Sequence, residues 1–415
     1  MRRLLWPLGL AAALSSPLGV QAQPETSLSL ASAVTLAEAY SPGVSAARHE
    51  VEAGEGDLRQ AGLRPNPELE VLVEDERRAT RTTTTQLNIP LELGGKRAAR
   101  VSEAQRATEL ARAMLFSAQT ELRAQVMSAF FHVLTLQERV KLASDAAALA
   151  ARAAEATARR VAAGRISPVD ETRSRVEQAN AALELADAQA ELRTARQRLA
   201  SFWGQADLAA AEVQRVQGDL DTLPARPDVQ QLLTDLDAAP SMVAGRLELE
   251  RRNAGIEVER SKQYPDLVLN VGAKRSSETQ ITQALIGLTV PLPFFDRNQG
   301  RLQAAHSRAA KAEDERQAAR IRLSGDVQQA ASQLTQALAS AQALKTTILP
   351  AAQQAYDAAT RGFDAGKFGF LDVLDAQRSL LQARLRHVGV VAGAWQAATT
   401  LERLLGRPLH EQAAK

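Results

Sequence analysis

The feature that most constrains this chain is that it is written twice. Pro42 and the run Ala46-Ala47-Arg48-His49-Glu50 recur as Pro240 and Ala244-Gly245-Arg246-Leu247-Glu248, and Pro67 recurs as Pro265, each 198 residues further on. Behind them, Ala163-Gly164-Arg165, Asp170 and Gly204 recur as Ala365-Gly366-Lys367, Asp372 and Gly406, 202 residues on. Ile89-Pro90-Leu91 meets Val290-Pro291-Leu292 at a spacing of 201. Most of the slippage therefore falls between the two front strands, at a loop tip where length changes are tolerated. A repeat of this period limits the fold to two copies of one supersecondary unit.

Each copy reads helix, hairpin, very long helix, tight loop, returning helix. In the first hairpin, residues 68–93, Leu69, Val71 and Val73 alternate with Glu68, Glu70 and Glu74, and Leu87, Ile89, Leu91 and Leu93 with Gln86, Asn88 and Glu92. That is the period of a strand with one apolar face. The second hairpin, 266–292, repeats it with Leu267, Leu269 and Val271, then Ala284, Ile286, Leu288, Val290 and Leu292. The following stretches, 97–162 and 299–362, are rich in Ala, Leu, Glu and Arg, with Pro350 as the one interruption. At about 1.5 Å per residue each predicts a rod on the order of 100 Å. The returning helices, 168–203 and 371–405, are about half that length. In the first, Val169, Val176 and Leu183 recur every seven residues, and Leu192 and Leu199 resume the spacing two positions late; such a stripe predicts a coiled-coil seam.

The expected organisation is a signal peptide over 1–22, a first repeat over 23–204, an equatorial linker over 205–227, a second repeat over 228–406 and a tail over 407–415. Arg2 and Arg3 before the apolar run 4–14, with Val20-Gln21-Ala22 as cleavage pattern, carry the first of these expectations. No later stretch reaches the 18 to 20 apolar residues of a spanning helix, so membrane contact falls to the strands. The 50 Lys and Arg balance the 48 Asp and Glu once Arg2 and Arg3 are set aside, and nucleic acid is not an expected partner. With no cysteine there is neither a disulfide framework nor a thiolate metal site.

Four strands cannot close a barrel, and an open edge in lipid would strand backbone N–H and C=O groups. Sharing one sheet among three chains gives twelve strands, the smallest sharing with a passable lumen, since about eight strands only fill the interior with side chains. The expected fold class is thus mainly α with a transmembrane β-barrel part: a homotrimer with a 12-stranded barrel above a periplasmic α-helical barrel. Rod lengths suggest that each rod is matched by two stacked shorter helices. By length alone, the first returning helix is continued by the front helix of the second repeat, and the C-terminal helix by the N-terminal helix of a neighbouring subunit.

The two strand-to-rod junctions, Gln86-Leu87-Asn88-Ile89-Pro90-Leu91-Glu92-Leu93-Gly94-Gly95-Lys96-Arg97 and Val290-Pro291-Leu292-Pro293-Phe294-Phe295-Asp296-Arg297-Asn298-Gln299-Gly300, resemble those of the TolC-like outer-membrane efflux family. They are most similar to its branch serving heavy-metal cation exporters driven by resistance-nodulation-division pumps. The resemblance covers essentially all of the mature chain. It implies a homotrimeric exit duct in the outer membrane that docks through its periplasmic tip onto an adaptor protein and an inner-membrane pump. It also implies that Asp372 and Asp375, in the stretch 365–376, form an acidic ring at the periplasmic aperture; Asp170 is their equivalent by internal duplication. A competing reading is that Asp372 only caps its helix. Where some relatives hold the closed tip with a tyrosine and an arginine, Phe363 and Phe368 stand here.

Gly164 and Gly366 suit the tight reversal at the tip. Arg165, Ile166, Lys367 and Phe368 are the candidates for adaptor contact, with a merely solvated turn as the alternative for the charged pair. Five scattered histidines show no ligand spacing, and no cofactor or catalytic constellation is readable. Gly94-Gly95-Lys96-Arg97 lacks phosphate-loop spacing and reads as a flexible joint with its cations near lipid headgroups. Three functions follow from different classes: an export duct for metal cations, with drug efflux or polypeptide secretion as alternative cargo; a periplasmic coiled-coil adaptor or scaffold; and an exported hydrolase, for which no nucleophile and base are apparent.

Overall fold

The computed structural model describes residues 27–203, 215–220 and 222–408. The expected signal peptide, residues 205–214 and 221 of the linker, and most of the C-terminal tail lie outside the described residues. The elements follow in the order β1 (Ser27–Leu28), α1 (Leu30–Tyr40), α2 (Pro42–Ala61), β2 (Glu68–Glu74), β3 (Thr82–Leu91), α3 (Lys96–Ala162), α4 (Pro168–Ala200) and β4 (Arg215–Val216). The second half continues with α5 (Val229–Thr234), α6 (Pro240–Ser261), β5 (Leu267–Ser276), β6 (Thr282–Thr289), α7 (Gln299–Ala343), α8 (Leu349–Asp364) and α9 (Phe370–Leu405). The protein is mainly helical with one small antiparallel sheet. Among the described residues no helix is long and apolar enough to cross a membrane.

The sheet has the order β2-β3-β5-β6, so the two hairpins join through their inner strands. The junction runs from Thr82↔Ser276 to Leu91↔Leu267, ten residues of continuous pairing. Directions alternate across all four strands.

The helices form alternating columns. α3 is flanked by α1, α2 and α4 on one side and by α6 and α9 on the other; the second rod, α7 with α8, packs mainly on the column of α5, α6 and α9. The stacking differs from the length-based expectation. Ala33, Ala37 and Val44 of α1 and α2 bury themselves with Leu192, Leu199 and Ala200 of α4 against Leu122, Val126 and Phe130 of α3. Leu236 and Met242 pack likewise with Leu401 and Leu405 of α9 against Leu323, Val327 and Leu334 of α7. Each returning helix is thus continued by the front helix of its own half of the chain. Lengths fix only that two short helices match a rod; which two is decided by whose apolar faces interlock. Small alanines let the ends approach closely, and dense packing rewards that approach.

Residues 215–220, which follow α4 in the chain, cross α3. β4 pairs in parallel with β1, and the Gln137 side chain grips Val216 from both sides, donating to its carbonyl at 3.0 Å and accepting from its N–H at 2.9 Å. Leu220 packs on Met127, Phe131 and Leu134, where Phe131 also stacks on Trp395 of α9 with ring centroids 4.0 Å apart.

The seven-residue stripe of α4 does not form one seam. Val169, Val176 and Leu183 are exposed, whereas Leu192 and Leu199 are buried. At about 100° per residue, the nine positions from Leu183 to Leu192 carry the stripe to the opposite face of the helix. The late resumption in the sequence is therefore a change of partner.

In the second rod, Pro350 does not end the helix. The preceding turn, Leu344–Ile348, is π-helical. Proline removes one ladder donor and its ring crowds the carbonyl four residues back, and a widened turn accommodates both.

Candidate functional site: the sheet face and the two tip turns

Register places most apolar residues of the four strands on one face, with Leu72, Val268 and Leu285 on the other. Leu69 lies opposite Leu87, Leu87 opposite Val271, and Val271 opposite Ile286; Ile89, Leu269 and Leu288 form the next row. Leu69 is 70% exposed, Ile286 78% and Leu288 58%, so this face is an apolar surface in search of a nonaqueous neighbour. The other face is mainly polar and internally bonded. Glu70 Oε2 accepts from Gln86 Nε2 at 2.7 Å and Asn88 Nδ2 at 2.9 Å, and Asn270 donates to Thr289 at 3.0 Å. Lys274 pairs with Glu74 at 3.2 Å. Gly272 sits where β3 and β5 approach closely, since a Cβ there would stand 2.4 Å from the Thr85 carbonyl oxygen.

The strand-to-rod joints are pinned, which corrects the reading of Gly94-Gly95-Lys96-Arg97 as a flexible joint with cations at headgroups. Gly94 and Gly95 are left-handed, with φ of 68° and 72°, and Tyr264 fills the space a side chain at Gly94 would need. Lys96 Nζ reaches Asp266 at 2.7 Å, and the Arg100 guanidinium holds Glu92. The second joint uses Asn298, also left-handed, whose amide donates to the Glu259 backbone at 2.8 Å and carboxylate at 2.7 Å. Burial pushes the Glu259 carboxyl up, but the donors Asn298 and Lys262 outweigh it and bring it below its ordinary value. Phe294 and Phe295 stand at the base of the sheet, 69% and 94% exposed.

At the far ends of the rods, the two tip turns share one backbone solution. Gly164 and Gly366 are left-handed, with φ of 68° and 71°. Arg165 N–H donates to the Arg160 carbonyl at 3.0 Å and Lys367 N–H to that of Gly362 at 2.8 Å, the six-residue closure of a glycine-terminated helix. Arg165 and Lys367 are exposed, Ile166 is half-buried and Phe368 is 51% exposed. The Phe368 ring lies over Gly362, where a Cβ would stand 2.1 Å from it.

The structure brings Asp372 and Asp375 onto one exposed helix face and shows what Asp372 does locally. Its Oδ2 accepts from the Gly369 N–H at 2.8 Å, so it caps α9. Asp170 occupies the third position of α4, as Asp372 does in α9, but there Ser167 supplies the cap. One contact was not readable from the sequence. The Arg160 guanidinium sits 4.1 Å over the centre of the Phe363 ring, joining the ends of the two rods by a cation–π interaction. Below it, Arg378 of α9 grips Glu177 of α4, with Nε 3.3 Å from Oε1.

A sheet with one lipid-ready face on long helical columns defines an outer-membrane channel protein. The chain matches the family model described as outer membrane efflux protein over residues 33–205 and again over 234–407, and it belongs to that family. It is 52% identical to the cobalt-zinc-cadmium resistance protein CzcC of Cupriavidus metallidurans, covering 98% of this chain and 100% of that one. It is 30% identical to the nickel and cobalt resistance protein CnrC of the same organism, covering 72% of each. Among solved structures, the outer membrane protein VceC of Vibrio cholerae superposes with a TM-score of 0.78 at 21% identity, over 92% of this chain and 96% of that one. CusC superposes with a TM-score of 0.77 at 17% identity, over 91% and 92%. The protein is thus an outer-membrane efflux component with a TolC-like fold and a periplasmic helical part, and not an enzyme.

Proposed function

We propose that this chain forms a homotrimeric exit duct for divalent heavy-metal cations, working with a periplasmic adaptor and an inner-membrane pump of the resistance-nodulation-division type. The observation that carries the duct is the sheet: four alternating strands, one continuous apolar face and open outer edges at β2 and β6. Because β2 and β6 run in opposite directions, β6 of one protomer meets β2 of the next antiparallel, and three protomers close twelve strands without an edge. The exposed Val169, Val176 and Leu183 of α4 and the free flank of α7 and α8 supply a second, helical seam between protomers. The two family matches, one per half, support the tandem-repeat organisation with an equatorial linker between the halves. The cargo rests on the relatedness to the cobalt-zinc-cadmium resistance protein.

In this duct Asp372, Asp375 and Asp170 line the periplasmic aperture. The duct itself supplies a passage, and its carboxylates supply a field that favours multivalent cations at the entrance. Asp372 combines capping with that role, since a cap uses one carboxylate oxygen and leaves the charge in place. Gly164, Arg165, Ile166, Gly366, Lys367 and Phe368 form the surface offered to the adaptor. The test is a deletion strain challenged with cobalt, zinc and cadmium, complemented by this chain. Restored metal resistance is expected; sensitivity to drugs alone, or loss of polypeptide secretion, would reassign the cargo. Purification without detergent as a stable monomer would favour the scaffold reading and remove the duct.

A further inference from the structure

Away from the sheet and the tips, a groove of about 620 Å³ runs along the middle of α3, between the C-terminal ends of α4 and α9. Its walls carry two guanidiniums and one carboxylate. Arg403 reaches Glu121 only at 3.4 Å, while Gln125 donates to the other Glu121 oxygen at 2.9 Å. Arg198 has no ion pair among the described residues. Thr399 is 3% exposed and among the described residues its hydroxyl has no partner, which is a cost in a buried position unless something enters to accept its hydrogen bond. Ser128 and Gln396 are bonded to each other at 2.6 Å across the groove floor. Desolvation first, and the Arg198 charge second, pull the His132 imidazole below its ordinary value against the opposing pull of Glu191, so it is neutral near pH 7. The groove is therefore net positive.

Its orientation follows from helical geometry. Glu121, Gln125, Ser128 and His132 form one stripe of α3. Met127, Phe130, Leu134 and Gln137, which meet the crossing segment 216–220, form another. At about 100° per residue the two stripes lie about half a turn apart. A segment that crosses a rod at mid-height inside a duct would obstruct it, so the crossing lies outside and the groove faces the lumen. This step rests on the duct reading. The groove lies wholly within one protomer, between columns that both pack on α3, and trimer formation leaves it open.

We propose that this groove is a luminal binding site for a small multivalent oxyanion, carboxylate or phosphate, held by Arg198 and Arg403 with the Thr399 hydroxyl. Three copies make a cationic belt midway between the acidic polar face of the sheet, with Glu68, Glu70 and Glu74, and the acidic tip. An empty belt opposes the passage of cations; an occupied one does not.

The direct test is calorimetric titration of citrate, and separately of pyrophosphate, into the purified full-length protein in metal-free detergent buffer. Saturable binding is expected, weakened tenfold or more by Arg198→Gln with Arg403→Gln and several-fold by Thr399→Val, a near-isosteric change that leaves the fold intact. Preference for one ligand assigns the source of the anion. No saturable binding to the wild-type protein, or equal affinity in all variants, overturns the site. In planar bilayers under a salt gradient, citrate should shift the reversal potential toward cation selectivity for the wild-type protein and not for the double variant. Binding without that shift overturns the luminal placement. A chain that forms no channels at all removes the duct reading, and the titration then decides the site by itself.

Discussion

The first rod is unbroken over 67 residues and clamped on both flanks, whereas the second is interrupted by a π turn and, among the described residues, packs mainly on one flank. Their buried residues differ accordingly. The first buries Leu122, Val126, Met127, Phe130, Phe131, Val133 and Leu134; the second relies largely on Ala305, Ala309, Ala312, Ala330 and Ala331, with Leu323, Val327 and Leu334 at its waist. The two rods have thus taken different roles. A rod enclosed on two sides needs bulk to fill both interfaces, and a rod with an open side keeps small residues for the contact it has. The π turn follows the same division, because a helix pressed from both sides has less room for a widened turn.

The largest expected effect breaks that comparison at its core. Phe130→Ala should cost about 3–5 kcal/mol and Leu334→Ala about 2–5 kcal/mol, read as lowered thermal unfolding of the purified protein; an unaffected midpoint for Phe130→Ala would contradict the double clamp. Next comes the proline. Ala148 stands 202 residues before Pro350, and Ala148→Pro should cost about 3 kcal/mol or more, because α3 has no widened turn to absorb it. Pro350→Ala should be nearly neutral, and equal costs for the two would show that the π turn is not the accommodation. At the tips, Asp372→Asn removes the charge near the α9 N-terminus and weakens a cap, with an expected cost of up to about 1 kcal/mol. With Asp375→Asn it should also weaken block of the channel by multivalent cations; unchanged block removes the aperture role. The smallest expected effect is at the rod ends. Phe363→Ala or Arg160→Ala forfeits a half-buried cation–π contact of about 0.5–1 kcal/mol, and each should raise the open probability of the channel. If both variants together open it no more than either alone, the two residues act as one link.

Much of this molecule was legible because its signals are local. Alternation over Leu69, Val71 and Val73 and over Leu87, Ile89 and Leu91 needs only neighbouring residues to reveal a strand. Gly164 and Gly366 mark turns because only backbone freedom matters there. The acids Asp372 and Asp375 share a helix face by spacing alone. The Arg160–Phe363 contact was not legible, since nothing in either segment says that the two rod ends meet. The split of the α4 stripe was present in the sequence as a two-residue delay, but its meaning required knowing what lay on each side.

The sequence by itself determined the elements and the apolar face of the sheet, because periodicity and backbone permissiveness act over a few residues. Only the tertiary structure decided which short helices stack, that residues 215–220 cross α3, and that Arg198, Thr399 and Arg403 share a groove. Those outcomes depend on surfaces remote in the chain fitting together, and the energy of such a fit belongs to the pair rather than to either segment.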